Sequence, residues 1–133
     1  MAGAQAQERA EGAVKQPEKV AMKDVAAGTA TEMQTLIGPE DGAPHFAMRR
    51  FVMEPGGGIP EHTNTVEHEQ YVLRGHANIG IGEESYEVHA GDVVFIPEGA
   101  PHWYRNIGEE SFEFLCIVPN KEDTITLLGK ASC

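Results

Sequence analysis

Nowhere after residue 20 does an apolar pattern recur at the helical period of 3.6 over any length; the chain runs as short extended pieces cut apart by Gly and Pro. Residues 20–25, 31–37, 45–53, 66–73, 76–81, 93–96 and 112–118 read as strands, and residues 125–128 as a last strand or short helix. The breaks carry turn chemistry: Gly38-Pro39, the loop 41–44, the run Pro55-Gly56-Gly57-Gly58, the pair Arg74-Gly75 and the segment 97–101. Many short strands punctuated in this way build an all-β sandwich or barrel. Residues 107–113 echo residues 81–87, an acidic turn followed by an aromatic, and both are expected to form the same hairpin type.

The chain of 133 residues is one domain by length, with 41% apolar and 23% charged residues. Its first 19 residues, rich in Ala, Gln, Glu and Lys, read as a loose tail before a single domain over residues 20–133. Ten basic against 21 acidic residues leave a net charge of −11. Nucleic acid and anionic membrane both require a cationic face, so neither is the expected partner. Cys116 and Cys133 make no disulfide framework, and residues 1–14 lack the apolar core of a signal peptide. Two free thiols in a reducing cytoplasm are expected.

Within residues 56–106 stand the side chains that could hold a metal. Side chains alternate along a strand, so His62 and Asn64 share a face. His68 follows on the next strand, and His102 arrives after the turn at 97–101. Three imidazoles delivered from three strands to one interior point suggest a metal site. Glu67 and Glu69 have the opposite parity to His68, while His45, His76 and His89 lie beside turns or on alternating faces. All five are expected to face solvent.

The spacing Gly56-x5-His62-x-Asn64-x3-His68-x6-Gly75 resembles the first signature of the cupin superfamily. The second signature is matched throughout by Gly91-x5-Pro97-x-Gly99-x2-His102-x3-Asn106. The resemblance covers about residues 40–120 and implies a jelly-roll barrel (double-stranded β-helix) with ligands inside, motif 1 lying at 56–75 and motif 2 at 91–106. More closely, residues 62–73 look like small single-domain cupins in which the usual Glu ligand is replaced by His, giving four histidines. Here that set would be His62, Asn64, His68 and His102, an amide standing where relatives carry an imidazole.

The resemblance further implies one divalent metal ion, with Fe or Mn favoured and Zn, Ni or Cu also compatible with imidazole ligands. Neutral ligands leave the whole dication charge uncompensated, which suits an anionic chelating substrate. Asn64 would ligate through its amide oxygen or hydrogen-bond to a ligand or water. A dioxygenase-type oxidoreductase acting on a small anionic or phenolic molecule is the leading expectation. A redox-neutral lyase or isomerase of a sugar acid comes next, then a non-catalytic metabolite- or metal-binding module.

Tyr104, Phe114 and Cys116 share the inward parity of His102 and are expected to wall the pocket. Either parity of the strand at 45–53 takes one arginine inward, so Arg49 or Arg50 is a candidate anion anchor, against a surface role. Tyr71, Leu73 and Trp103 fall on the outer face. An outer sheet this apolar predicts a cover, and a homodimer would supply it.

Overall fold

The computed structural model describes residues 11–128. Ten strands follow in order: β1 (Lys23–Asp24), β2 (Thr29–Ile37), β3 (Phe46–Thr63), β4 (His68–Arg74), β5 (His76–Ile81), β6 (Glu84–His89), β7 (Val93–Ile96), β8 (His102–Arg105), β9 (Phe112–Pro119) and β10 (Thr126–Leu127). The sheet runs β6-β5-β8-β3-β9-β4-β7, with β2 and β10 also on β3 and β1 on β2. Every pairing is antiparallel. The sheet curls into a jelly-roll barrel. No helix among the described residues is long and apolar enough to cross a membrane.

One strand sets the architecture. The run Pro55-Gly56-Gly57-Gly58, expected to end the strand begun at residue 45, bends it instead, and β3 continues for 18 residues. Its first half pairs with β9 from Phe46 to Met53, and its second half with β8 from Gly58 to His62. Gly56 has a φ of +83°, a left-handed value that glycine alone adopts freely. At Gly58 a Cβ would stand 2.5 Å from the Tyr104 carbonyl oxygen, so β8 can approach only a bare backbone. Asn106 pins the bend: its Nδ2 donates to the Met53 carbonyl at 2.9 Å, and its backbone N–H to the Gly57 carbonyl at 2.9 Å.

The alternation expected of the strands is present in their burial. Along β4, His68, Gln70 and Val72 are buried while Glu69 and Tyr71 are exposed. Phe112, Phe114, Cys116 and Val118 of β9 face the interior with Phe51, Met53, Ile59, Ile79, Ile96 and Tyr104. On the outside, Tyr71, Leu73, Val93 and Phe95 remain exposed, with Tyr71 opposite Val93 across the β4–β7 pair. Trp103 also faces outward but is half-buried, because its indole lies over Gly80, its partner on β5.

Two further expectations need correction. Residues 81–87 form a true hairpin, Ile81 pairing with Glu84 across a two-residue turn. Residues 107–113 do not, since β8 and β9 pair with successive parts of β3, Gly58 to His62 and Phe46 to Met53, and not with each other. The strand expected at 20–25 shrinks to Lys23–Asp24, preceded by a 3₁₀ turn at Pro17–Lys19. The stretch before residue 20 also touches the barrel where it is described: Lys15 pairs with Asp41 at 3.0 Å, and Gln34 Nε2 donates to the carbonyls of Pro17 and Val20, each at 3.0 Å. Cys116 is a free buried thiol, and Cys133 lies outside the described residues.

Candidate functional site

The three imidazoles expected to converge do so at one end of the barrel. His62 stands one residue before the end of β3, His68 opens β4 and His102 opens β8, and all three are buried. The rings of His62 and His102 lie 4.1 Å apart between centroids, and those of His68 and His102 lie 5.3 Å apart. Asn64 follows the end of β3 and is buried beside them. The motif-2 turn holds it there, Gly99 N–H donating to the Asn64 carbonyl at 2.7 Å.

Hydrogen bonds decide what each ring offers. The His62 Nδ1 lies 2.8 Å from the Pro60 carbonyl, and the His102 Nδ1 lies 2.9 Å from the Ala100 carbonyl. A carbonyl only accepts, so both Nδ1 atoms carry the proton and both Nε2 atoms keep a lone pair. His68 is set differently. Its Nε2 donates to Asn64 Oδ1 at 3.1 Å, and its Nδ1 lies 3.5 Å from the Cys116 sulfur.

Burial keeps His68 and His102 neutral. It pushes His68 down to about 3, helped by the nearby Arg49 charge, and His102 down to about 4. Tyr104 is pushed upward by burial, so its hydroxyl stays protonated. That hydroxyl accepts from Gln70 Nε2 at 2.7 Å, which leaves its own proton to donate elsewhere.

The imidazoles open on a cavity of about 430 Å³. Arg49, Phe51, Phe114, Tyr104 and Cys116 line it with His62, Asn64, His68 and His102. The Phe51, Phe114 and Tyr104 rings form a row, with centroid separations of 4.9 and 5.2 Å and planes within 6° and 10°. Of the two candidate arginines, Arg49 enters the cavity while Arg50 turns outward to Glu113 at 2.8 Å.

Gln70 and Asp123 are additions that sequence reading missed. Gln70 could have been found, since it lies two residues beyond His68 on the same face. Asp123 comes from the segment after β9, which returns over the site and pairs as β10 with His62 and Thr63. Ile125 and Leu127 of that segment line the cavity mouth. Nothing local in the sequence marks it.

Three imidazoles and an amide oxygen are donors that suit a divalent ion, and two Nε2 atoms stand free for one. The third is spent on Asn64. Among the described residues, no three His, Cys, Asp or Glu side chains are arranged so as to hold a metal ion.

Comparison with known proteins agrees with this barrel. The solved structure of the polyketide cyclase RemF of Streptomyces resistomycificus superposes with a TM-score of 0.83 at 27% identity, over 91% of this chain and 89% of that one. The polyketide synthase CurC of Streptomyces cyaneus is 31% identical over 81 residues, 59% of this chain and 53% of the relative. An uncharacterized protein of Methanocaldococcus jannaschii is 36% identical over 52 residues, 39% of this chain and 42% of the relative. The match thus spans about half the length of these curated relatives. The cupin-domain family model (Cupin_2) matches residues 49–118, just over half of the chain, and the protein belongs to the cupin-domain family.

Proposed function

We propose that this cupin closes a ring in a flat, polycarbonyl substrate of the polyketide type, by redox-neutral acid–base chemistry. The observation that carries the reading is the cavity itself, where neutral imidazoles face a row of stacked aromatic rings. The likeness to a polyketide cyclase and to a polyketide synthase component supports the substrate class. It also shifts the weight from the oxygenase expected first to the redox-neutral chemistry placed second.

The steps balance without an oxidant. A free Nε2 of the His62–His102 pair takes a proton from the carbon between two substrate carbonyls, leaving an enolate. The enolate carbon attacks a second carbonyl of the same chain, and one carbon–carbon bond forms. The Tyr104 hydroxyl donates a hydrogen bond to the oxygen on which charge develops, and the imidazolium returns its proton to that oxygen. Loss of water then gives the conjugated ring. The aromatic row holds the chain folded so that the two reacting carbons meet.

A divalent ion would be held by Nε2 of His62 and His102, joined by His68 and Asn64 Oδ1 once their mutual bond opens, and would supply Lewis-acid polarisation of a substrate carbonyl. The small molecule is the partner this site requires, and a second copy of the chain is the partner the exposed outer face of β4 and β7 would suit.

A synthetic 3,5,7-triketo thioester of a short thiol, in which attack of C2 on the C7 carbonyl closes a six-membered ring, tests the reading. The expected product is the ring-closed molecule lighter by one water, with no dioxygen taken up. Turnover no faster than in buffer would sink it, and stoichiometric dioxygen uptake would restore the oxygenase.

A further inference from the structure

We propose that Arg49 is an oxyanion subsite, which binds the two syn oxygens of a carboxylate or an enolised 1,3-diketone at one end of a flat substrate. The inference deepens the ring-closure reading and rests on it for the nature of the rest of the molecule.

Acidic residues outnumber basic ones by 21 to 10, so an arginine here has carboxylates in abundance. Its neighbour Arg50 uses them, with Glu113 Oε1 at 2.8 Å and Gln34 Oε1 also at 2.8 Å. Arg74, Lys15 and Lys121 are likewise paired. Among the described residues, Arg49 has no carboxylate within 4.0 Å.

What surrounds Arg49 is a poor substitute. Its Nη2 donates to the Cys116 sulfur at 3.3 Å, and its Cζ stands 5.2 Å from the Phe51 ring centre. Its Nε is buried and has no hydrogen-bond partner. A guanidinium cannot shed its proton to escape such a place, so the desolvation is not offset within the chain. Buried polar groups are nearly always satisfied, and an orphaned one demands a reason.

Position supplies that reason. Arg49 lines the histidine cavity and also an outer groove of about 710 Å³, which it shares with Pro44, Val118 and Lys121. It is therefore reachable from both sides, and its planar fork matches two syn oxygens in one plane. Inside the cavity, the neighbouring ring of Phe51 begins the stacked aromatic row. An anion on Arg49 whose conjugated body extends along that row would run towards His62 and His102.

The test is binding, and needs no turnover. Three probes are titrated calorimetrically into the full chain: 2-naphthoate, its neutral isostere 2-naphthamide, and 1-phenyl-1,3-butanedione. Wild type is expected to bind the naphthoate at least about tenfold tighter than the amide. Arg49→Met is expected to erase that preference and to unfold at a higher temperature, because an uncompensated charge has been removed. Should the methionine variant not fold, Arg49→Gln carries the same comparison.

Loss confined to the naphthoate assigns a carboxylate ligand, and loss extending to the diketone assigns an enolate. An undiminished naphthoate preference in a folded charge-free variant overturns the subsite, as does its absence from wild type. Ring closure could fail while the Arg49-dependent preference stands, so the two readings fall separately.

Discussion

The side-chain amide of Asn64 donates to Asp123 Oδ2 at 2.8 Å, which turns its Oδ1 towards His68 Nε2, 3.1 Å away. A carboxylate can only accept, so Asp123 chooses which end of the amide faces the histidines. Asp123 is itself fixed, its Oδ1 accepting from the Thr65 backbone N–H at 2.9 Å. Asp123→Ala should therefore release the amide and let His68 exchange between its two neutral tautomers. Ring-nitrogen NMR chemical shifts report this directly, and the loss of the hydrogen bonds should cost about 1 kcal/mol of stability. A His68 spectrum still showing a single Nε2-protonated tautomer would refute the role given to Asp123.

Metal affinity is the second measurable consequence. An amide oxygen is a weaker donor than imidazole, and in the metal-free arrangement it occupies His68 Nε2. Asn64→His would exchange that acceptor for a further nitrogen ligand, and should tighten Mn²⁺ or Zn²⁺ binding by at least about tenfold, or about 1.4 kcal/mol. His68→Ala should weaken it in both backgrounds. Unchanged affinity in Asn64→His would mean that position 64 does not reach the ion.

What the sequence disclosed was the local part of the structure. Period two is a property of neighbouring residues, so the inward sets His68, Gln70, Val72 and His102, Tyr104 could be read from alternation alone. Arg49 and Arg50 could not be ranked that way, because the partner that draws Arg50 outward, Glu113, is 63 residues distant. The run Pro55-Gly56-Gly57-Gly58 carries the composition of a chain break. It is a bend because Gly56 takes a left-handed φ and Asn106 ties the corner from just beyond β8. Asp123 lies on a segment placed by its pairing with β3, an interaction between distant parts of the chain. That residues 107–113 would not fold as a hairpin was hidden for the same reason: the partner of both β8 and β9 is β3, far away in the chain.

The outer face predicts an assembly. Tyr71, Leu73, Val93 and Phe95 are exposed side by side on β4 and β7, with Leu115 and Ile117 of β9 half-buried beyond them. Contiguous apolar surface of this kind is commonly covered by a partner. If a second copy covers it, wild type sediments as a dimer, and Phe95→Glu, at a position 57% exposed, yields a folded monomer. A dimer unaffected by that change would place the interface elsewhere.

The buried imidazoles also set how stability responds to acid. Burial lowers His68 to about 3 and His102 to about 4, whereas an unfolded chain titrates its histidines near the ordinary value of 6.5. Below that value the unfolded state binds protons that the folded state refuses, so acid favours unfolding. The contribution of these rings is fully present above about pH 6.5 and is lost as the pH falls towards 4 and then 3. Each ring steepens the loss by up to about 1.4 kcal/mol per pH unit. Urea unfolding of metal-free protein between pH 7 and 5 should show this slope, and His68→Gln, which cannot be protonated, should remove one ring's share of it. If the variant and wild type lose stability in parallel, His68 is already protonated in the folded protein, and its role as the neutral donor to Asn64 fails.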